Sequence, residues 1–368
     1  MATRKVLFVK VGAIGDIAMA LAFLDGLNHR WRNEKVEVTW VCGKLGEPIV
    51  ARVGIHKTVI VDEARLFHSN VVSAVAEMIR TWVAVCGRYD MVAVGHRDWR
   101  YTMLALSARA RIRVRFGGNV QHRSIPVPGR HHSDEYWLLG AGGEDRLITS
   151  VFRATRQNQD RAATIAIAPG GGRNAMRDDP LRRWPVNNFV ELAAALADQG
   201  KIVVVTGDAH DLELAPAFAT LEREGKVRSL IGTTPTVGDV LDLYSSVDVV
   251  VSADTGSMHL GALAGAGTVA LFGPTNPKEK LPKSLGAVAL WGGSDLPCRP
   301  CYDGQGYARC SLNECMRSIQ PQEVVRAVNA VLRGETGRGG GTTARVEWIT
   351  RYCDRRPIDP DPIEEGSG

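Results

Sequence analysis

No run of this 368-residue chain approaches the roughly 18 consecutive apolar residues that a membrane-spanning helix needs, although hydrophobic residues make up 45% of it. No transmembrane segment is therefore expected. The opening MATRKVLFVKVGAIGD breaks its apolar stretch with charges before the hydrophobic core of a secretory leader could form. The expected location is the cytoplasm, with room for peripheral membrane contact. A strong charge of one sign is missing too: 45 Lys and Arg against 40 Asp and Glu leave +5. That excess suits small anionic ligands and falls short of a nucleic-acid footprint. The dinucleotide fingerprint G-x-G-x-x-G is absent, because the first strand runs into G-x-x-G, and a nicotinamide enzyme is disfavoured. Nothing near the cysteines supplies a base for a thiolate, so none is expected to be catalytic.

The composition is that of a globular protein, with 23% charged residues. The length exceeds what one hydrophobic core usually serves, so two domains are the natural expectation. β-Branched runs predict strands at Lys5–Val11, Val36–Val41, Thr58–Val61 and Met91–Val94, and again at Thr164–Ala168, Ile202–Val205, Asp248–Ser252 and Thr268–Phe272. Helical spacing separates them. Ile17, Ala20, Leu21, Leu24 and Leu27 give one apolar face directly after the first strand, and Asn188–Leu196 and Val237–Tyr244 repeat the plan. Strand–helix alternation of this kind predicts an α/β protein with two parallel sheets. The expected divisions are residues 1–155, 156–335 and 336–368. The last of these comprises a glycine-rich linker, a short helix in VEWITRYC and a disordered tail, after a helix at Pro321–Leu332.

Three loops carry the candidate chemistry. In KVGAIGD, Gly12 and Gly15 lead to Asp16 at the first helix, on the edge of the sheet where ligands bind in such folds. A general base and a plain helix N-cap are both compatible with that carboxylate. In APGGGRNAMRDDPLRRWP, Gly170, Gly171 and Gly172 free backbone amides, and Arg182 and Arg183 follow beside Trp184. Guanidinium groups next to a glycine loop suit a diphosphate, although a surface arginine pair over a core tryptophan would read the same way. In SADTGSMHLGALAG, Asp254, Thr255, Gly256 and Ser257 open a helix whose free amides and dipole make an anion site, with His259 on its first turn. Gly265 and Gly267 end that helix.

Two further clusters stand apart. Arg109, Arg111, Arg113, Arg115 and Arg123 fall in one stretch that reads either as a solvated edge strand or as a basic patch for an anionic acceptor, with Arg113 and Arg115 the candidates. Cys298, Cys301, Cys310 and Cys315 are spaced C-x2-C-x8-C-x4-C. A structural zinc or iron site, reduced thiols and disulfides all remain open for them.

The combination of KVGAIGD, APGGG with RRWP, GDAHD, SADTGSMHLGALAG and LFGPTNP resembles glycosyltransferase family 9, the ADP-heptose heptosyltransferases, over most of residues 4–333. The resemblance implies a GT-B architecture of two facing Rossmann-like domains, the N-terminal one for the acceptor and the C-terminal one for the nucleotide sugar. It implies inverting transfer from ADP-heptose to a hydroxyl acceptor without a catalytic metal. Asp16 matches the family's proposed base, and Asp254–His259 its diphosphate site. The family's usual Lys two places before Trp-Pro is Arg182 here, and Asp211 in GDAHD stands where a ribose-binding Glu is common. The cysteine loop is similar to insertions in some members, including those that heptosylate proteins. The acceptor is left open among glycan, protein and small molecule. Another nucleotide sugar as donor, a sugar-nucleotide epimerase and a non-catalytic nucleotide-sugar-binding subunit are the alternatives.

Overall fold

A computed structural model of the chain describes residues 3–116, 129–142, 161–174, 177–303, 306–335 and 346–349. The first half alternates β1 (Thr3–Val9), α1 (Ile14–Ala20), α2 (Ala22–Arg30), β2 (Lys35–Gly43), α3 (Glu47–Ala51), β3 (Lys57–Val61), α4 (Glu63–His68), α5 (Val71–Val85), β4 (Gly87–Val94), α6 (Arg100–Met103), β5 (Ala108–Arg115) and α7 (His132–Ala141). Its sheet has the order β3-β2-β1-β4-β5, parallel throughout. The order reverses beside β1, and the crevice at such a switch point is where open α/β sheets bind ligands. The turn that carries Asp16 leaves β1 at that end.

The second half repeats the arrangement: β6 (Thr164–Ala168), a small ribbon β7 (Arg173–Asn174) and β8 (Arg177–Asp178), α8 (Val186–Asp198), β9 (Ile202–Gly207), α9 (Ala215–Arg223), β10 (Val227–Ile231), α10 (Val237–Ser245), β11 (Val249–Ala253), α11 (Gly256–Leu263), β12 (Gly267–Phe272), α12 (Pro277–Lys280), β13 (Ala287–Gly292), α13 (Glu314–Arg317), α14 (Pro321–Leu332) and β14 (Val346–Ile349). The order is β10-β9-β6-β11-β12-β13-β14, parallel except for β14. The glycine loop leaves β6 and the Asp254 segment leaves β11, again at the switch point. These strands are buried on both faces by helices, which is why β11, β12 and β13 read as nearly unbroken apolar runs.

Two expectations need correction. VEWITRYC does not open as a helix: Val346–Ile349 is an edge strand antiparallel to β13, its Val346 and Ile349 buried. Pairing to an open sheet edge suits Val, Trp and Ile better than a helix too short to nucleate. The single helix expected after β1 is two, α1 and α2, meeting at Leu21. The arginine stretch is edge strand β5, as one of its two readings had it, with Arg109, Arg111 and Arg113 exposed. The division expected at residues 155 and 156, the linker from residue 336 and the tail after residue 349 lie outside the described residues.

The outer face of α5 is unusual. Val71, Val72 and Val83 are 77%, 78% and 74% exposed, while Glu77 and Thr81 point inward. Polar bonds anchor this helix: Glu77 accepts from the Asp62 N–H at 2.9 Å and pairs with Arg80.

Helix α7 ends the first half and packs on α2 so closely that glycine is required on both sides. A Cβ on Gly140 would lie 2.5 Å from the Phe23 carbonyl oxygen, and one on Gly26 would lie 2.3 Å from that of Trp137. From there α7 reaches the second half. Asp134 and Lys283 form a buried ion pair at 2.5 Å, His131 donates from Nε2 to the Leu281 carbonyl at 2.8 Å, and the Gly129 N–H donates to Glu279 at 2.9 Å. Arg52 on the first half pairs with Asp242 of α10 on the second. Gly140→Val forces the two helix backbones apart, so it should destabilise the protein by about 1–3 kcal/mol. Urea denaturation should give a lower midpoint at an unchanged slope.

Candidate active site

Helices α1 and α11 meet end to end where the halves face each other. Gly15 lies against the His259 ring, and Gly256 lies against Ile14; a Cβ at these glycines would sit 2.9 Å from His259 Cδ2 and 3.1 Å from Ile14 Cβ. The contact brings the KVGAIGD turn onto the DTG-x-x-H segment, two motifs about 240 residues apart in the chain.

Asp16 is the third residue of α1, with Ala13 at the N-cap position and no side-chain cap bond there. The capping alternative is thereby excluded: the helix starts two residues before the acid. Asp16 instead accepts from the Lys10 ammonium at 3.0 Å, and its side chain keeps 43% exposure toward the cleft. Burial works against both charges, yet each is held ionised. Asp16 is held below the usual carboxylate range by the Lys10 charge and hydrogen bond, helped by His132 and Lys280. Lys10 is held above the usual lysine range by Asp16 and Tyr136. Burial raises the Tyr136 hydroxyl to about 12. Behind Lys10, His96 accepts from the Val11 N–H at 2.9 Å and stacks on Tyr101 at 3.6 Å.

On the facing wall Thr255 is the N-cap of α11 and caps nothing. Its buried hydroxyl has no hydrogen-bond partner. Asp254 does not cap the helix either; it accepts from Thr275 Oγ1 at 2.7 Å. Behind the site Tyr244, which lies near Ser257, meets Thr206 at 3.0 Å. The glycine loop folds over this helix end: Gly171 has φ +94° and lies against Thr255, and Gly172 has φ +72° and accepts from the Asp179 N–H at 2.7 Å. Side chains larger than glycine fit neither backbone conformation. Asp211 reaches the same loop, accepting weakly from the Gly171 N–H at 3.4 Å and filling the space beside Gly170.

Arg182 is committed to the protein. Its guanidinium donates to the Asp254 carbonyl at 2.8 Å and to Asp179 at 3.0 Å, and lies 3.7 Å from the Asp254 carboxylate. Its buried Nε has no partner. Arg183 holds the Gly171 carbonyl at 3.0 Å and pairs with Asp178. Burial drives His259 down to about 4 against the pull of Asp254 and Asp16. The same cause puts His132, first residue of α7, at about 4, and its buried Nε2 has no partner. Both imidazoles are therefore neutral at neutral pH.

Asp16, Asp254, Thr255, Gly256, His259, Gly171 and Arg182 thus converge, with Ser257 and Asp211 behind them. Arg113 donates to the Ala108 carbonyl on its own strand, and Arg115 closes β5 in register with Val94. The four cysteines are not gathered as a metal site, and among the described residues no three His, Cys, Asp or Glu side chains are. Cys298 and Cys310 are exposed, whereas Cys315 turns toward Asn313 at 3.7 Å and packs beside Gly273, with burial raising its thiol to about 11. The described cysteines are free thiols.

Sequence reasoning missed Lys10, His132, Tyr136 and Lys280. A lysine closing a strand six residues before the acid was the available signal for Lys10. His132 comes from a segment with no motif of its own.

Residues 148–310 match the model of glycosyltransferase family 9 (heptosyltransferase). Lipopolysaccharide heptosyltransferase 2 of Escherichia coli K12 is 32% identical over 161 residues, 42% of this chain and 44% of the relative. The chain spans about half the length of the first curated relatives it matches. In fold it is similar to E. coli ADP-heptose lipopolysaccharide heptosyltransferase II, with a TM-score of 0.66 at 20% identity, covering 90% of this chain and 99% of that one. It is also similar to the iron-containing dodecameric glycosyltransferase TibC of enterotoxigenic E. coli, with a TM-score of 0.53 at 14% identity over 92% and 80% of the two chains. The architecture is GT-B.

Lys10→Met removes the cation that keeps Asp16 ionised and leaves burial unopposed. The Asp16 carboxyl should then titrate at higher pH. Carboxyl-carbon NMR titration measures it, and an unchanged midpoint would show that the ion pair does not govern the acid.

Proposed function

We propose that this chain, a relative of glycosyltransferase family 9 with the GT-B fold, is an inverting glycosyltransferase that moves heptose from ADP-heptose onto a hydroxyl acceptor without a catalytic metal. The observation that carries the reading is the facing of Asp16, ionised and open to the cleft, with a helix end whose amides and orphan Thr255 hydroxyl converge beside a glycine loop. A base on one wall and an anion cradle on the other are what displacement of a nucleoside diphosphate requires.

In this reading the second half, residues 156–335, takes the nucleotide sugar and the first half, residues 1–155, the acceptor. The diphosphate lies at the α11 amides, Thr255 and the Gly171–Gly172 loop, with Arg182 holding Asp254 in place and its Nε still available. Asp211, on the loop after β9, faces the ribose end. The acceptor oxygen attacks the anomeric carbon as its proton passes to Asp16. The bond from that carbon to the β-phosphate oxygen breaks, and its electron pair leaves with ADP. One displacement inverts the configuration. Positive charge for the leaving group comes from guanidinium and helix amides, which is the role a divalent cation would otherwise fill.

Among the described residues no helix is long and apolar enough to cross a membrane. A cytoplasmic protein drawing on a soluble nucleotide sugar fits that, and the acceptor is a glycan, protein or small molecule. The four thiols do not fit a metal as they stand, and no step is assigned to one.

Asp16→Ala should lower turnover about 100- to 10,000-fold, the usual contribution of a general base, while ADP binding measured by calorimetry stays near wild type. A variant that turns over normally would remove Asp16 from the mechanism. In the active enzyme the low Asp16 pKa keeps the base available above it, and activity is lost as pH falls through it. Lys10→Met should move that loss to higher pH.

A further inference from the structure

Lys280 and the hairpin of the four-cysteine loop are not absorbed by the reading above. Lys280 closes the short helix α12 after the GPTNP loop. Its positive charge acts on four cleft residues: it helps hold Asp16 and Asp254 ionised and helps keep His132 and His259 neutral. Those four come from α1, the start of α11 and α7. Lys280 is thus within electrostatic reach of residues on both sides of the cleft.

The cation does not hang free. Its ammonium lies over the Tyr302 ring, 4.5 Å from the centroid. Tyr302 belongs to a hairpin in which it bridges Tyr307, the two rings 4.8 Å apart, closed by the Ala308 N–H donating to the Cys301 carbonyl at 3.1 Å. The hairpin is tied to the same loop that carries Lys280: the N–H groups of Cys301 and Tyr302 both donate to the Pro274 carbonyl, at 3.0 and 3.2 Å. Next to Pro274, Thr275 donates to Asp254. Asn313, beyond the hairpin, donates to the Arg183 carbonyl at 3.4 Å. Tyr307 lies within the electrostatic reach of Arg182, Asp179 and Asp254. Of the two cations of the cleft wall, Lys280 is the one with a tyrosine of this hairpin against it. A cation over an aromatic face is attracted to it, which restricts where a flexible lysine points.

We infer that Lys280 is a binding residue for the donor diphosphate and that Tyr302, carried by the four-cysteine hairpin, is the positioning residue that holds it there. The inference rests on the nucleotide-sugar reading and adds to it a residue from outside the glycine loop and α11. It also gives the hairpin a role as one wall of the donor site, independent of any metal.

Calorimetry of the full chain with ADP and with AMP tests this, since only ADP carries the second phosphate. Lys280→Gln should weaken ADP about tenfold, the scale of one charged hydrogen bond, and change AMP less than about twofold. Lys280→Arg should retain most of the ADP preference. Tyr302→Leu should lose part of it, and Tyr302→Phe, which keeps the ring, should behave as wild type. Thermal melts establish that each variant is folded. If folded Lys280→Gln binds ADP as tightly as wild type, or loses ADP and AMP equally, Lys280 does not meet the second phosphate. If Tyr302→Leu leaves the ADP-to-AMP ratio intact, the hairpin does not position it. A wild-type chain that binds no nucleoside diphosphate overturns the transferase reading itself, and this inference with it.

Discussion

The contact between the first turns of α1 and α11 is the constraint on which the rest depends. Two helix starts can approach this closely only because Gly15 and Gly256 present no side chains to His259 and Ile14. The consequence is that the candidate base and the candidate anion cradle belong to different halves and yet face one cleft. Each half folds as an ordinary doubly wound sheet with its switch point open. Neither has a complete site alone. The bonds from α7 to the α12 region serve the same end, because Asp134 with Lys283 and His131 with Leu281 bring His132 to the rim where Asp16 and Lys280 stand.

Charge explains why the junction is polar in a region this crowded. Burying a lone carboxylate would protonate it, and burying a lone amine would strip its proton. Lys10 with Asp16, and Arg182 with Asp254 and Asp179, avoid both outcomes by pairing before they are covered. A pair of this kind adds little stability compared with apolar packing. The place of the Lys10–Asp16 pair beside the α1–α11 contact is better explained by the ionised Asp16 it preserves. The neutral histidines complete the pattern, since the nearby cations and burial leave them no reason to take a second proton.

Much of this was legible in the sequence, for a definite reason. Parallel strands buried on both faces are continuous β-branched runs, and ligand loops in such sheets follow the strand ends, so the KVGAIGD, APGGG and SADTGSMH segments announced both fold and cradle. What was not legible depended on contacts across long separations. Lys10 gains its meaning from Asp16 and Tyr136, and Lys280 gains its meaning from four residues on other elements. Asp16 looked like an N-cap because the helix start could not be fixed within two residues, and that small difference decides whether the carboxylate caps or faces the cleft. VEWI was misread for a related reason: four residues carry no helical period, and the free edge of β13 decides their conformation. The cysteine spacing was the opposite case, a recognisable pattern whose thiols the fold spends on packing and exposure.

In the donor site proposed above, Lys280 would also link binding to proton transfer. In the ligand-free cleft its charge helps hold Asp16 low, which makes that carboxylate a weak base. A diphosphate that takes Lys280 as its counter-ion brings negative charge close to the same carboxylate and cancels part of that support. The affinity of Asp16 for a proton then rises when donor is bound, and by linkage a protonated Asp16 favours the bound diphosphate. On that proposal the base would be stronger while donor is bound and weaker once ADP departs. One shared cation between two walls is enough to produce that order of events, without any moving part.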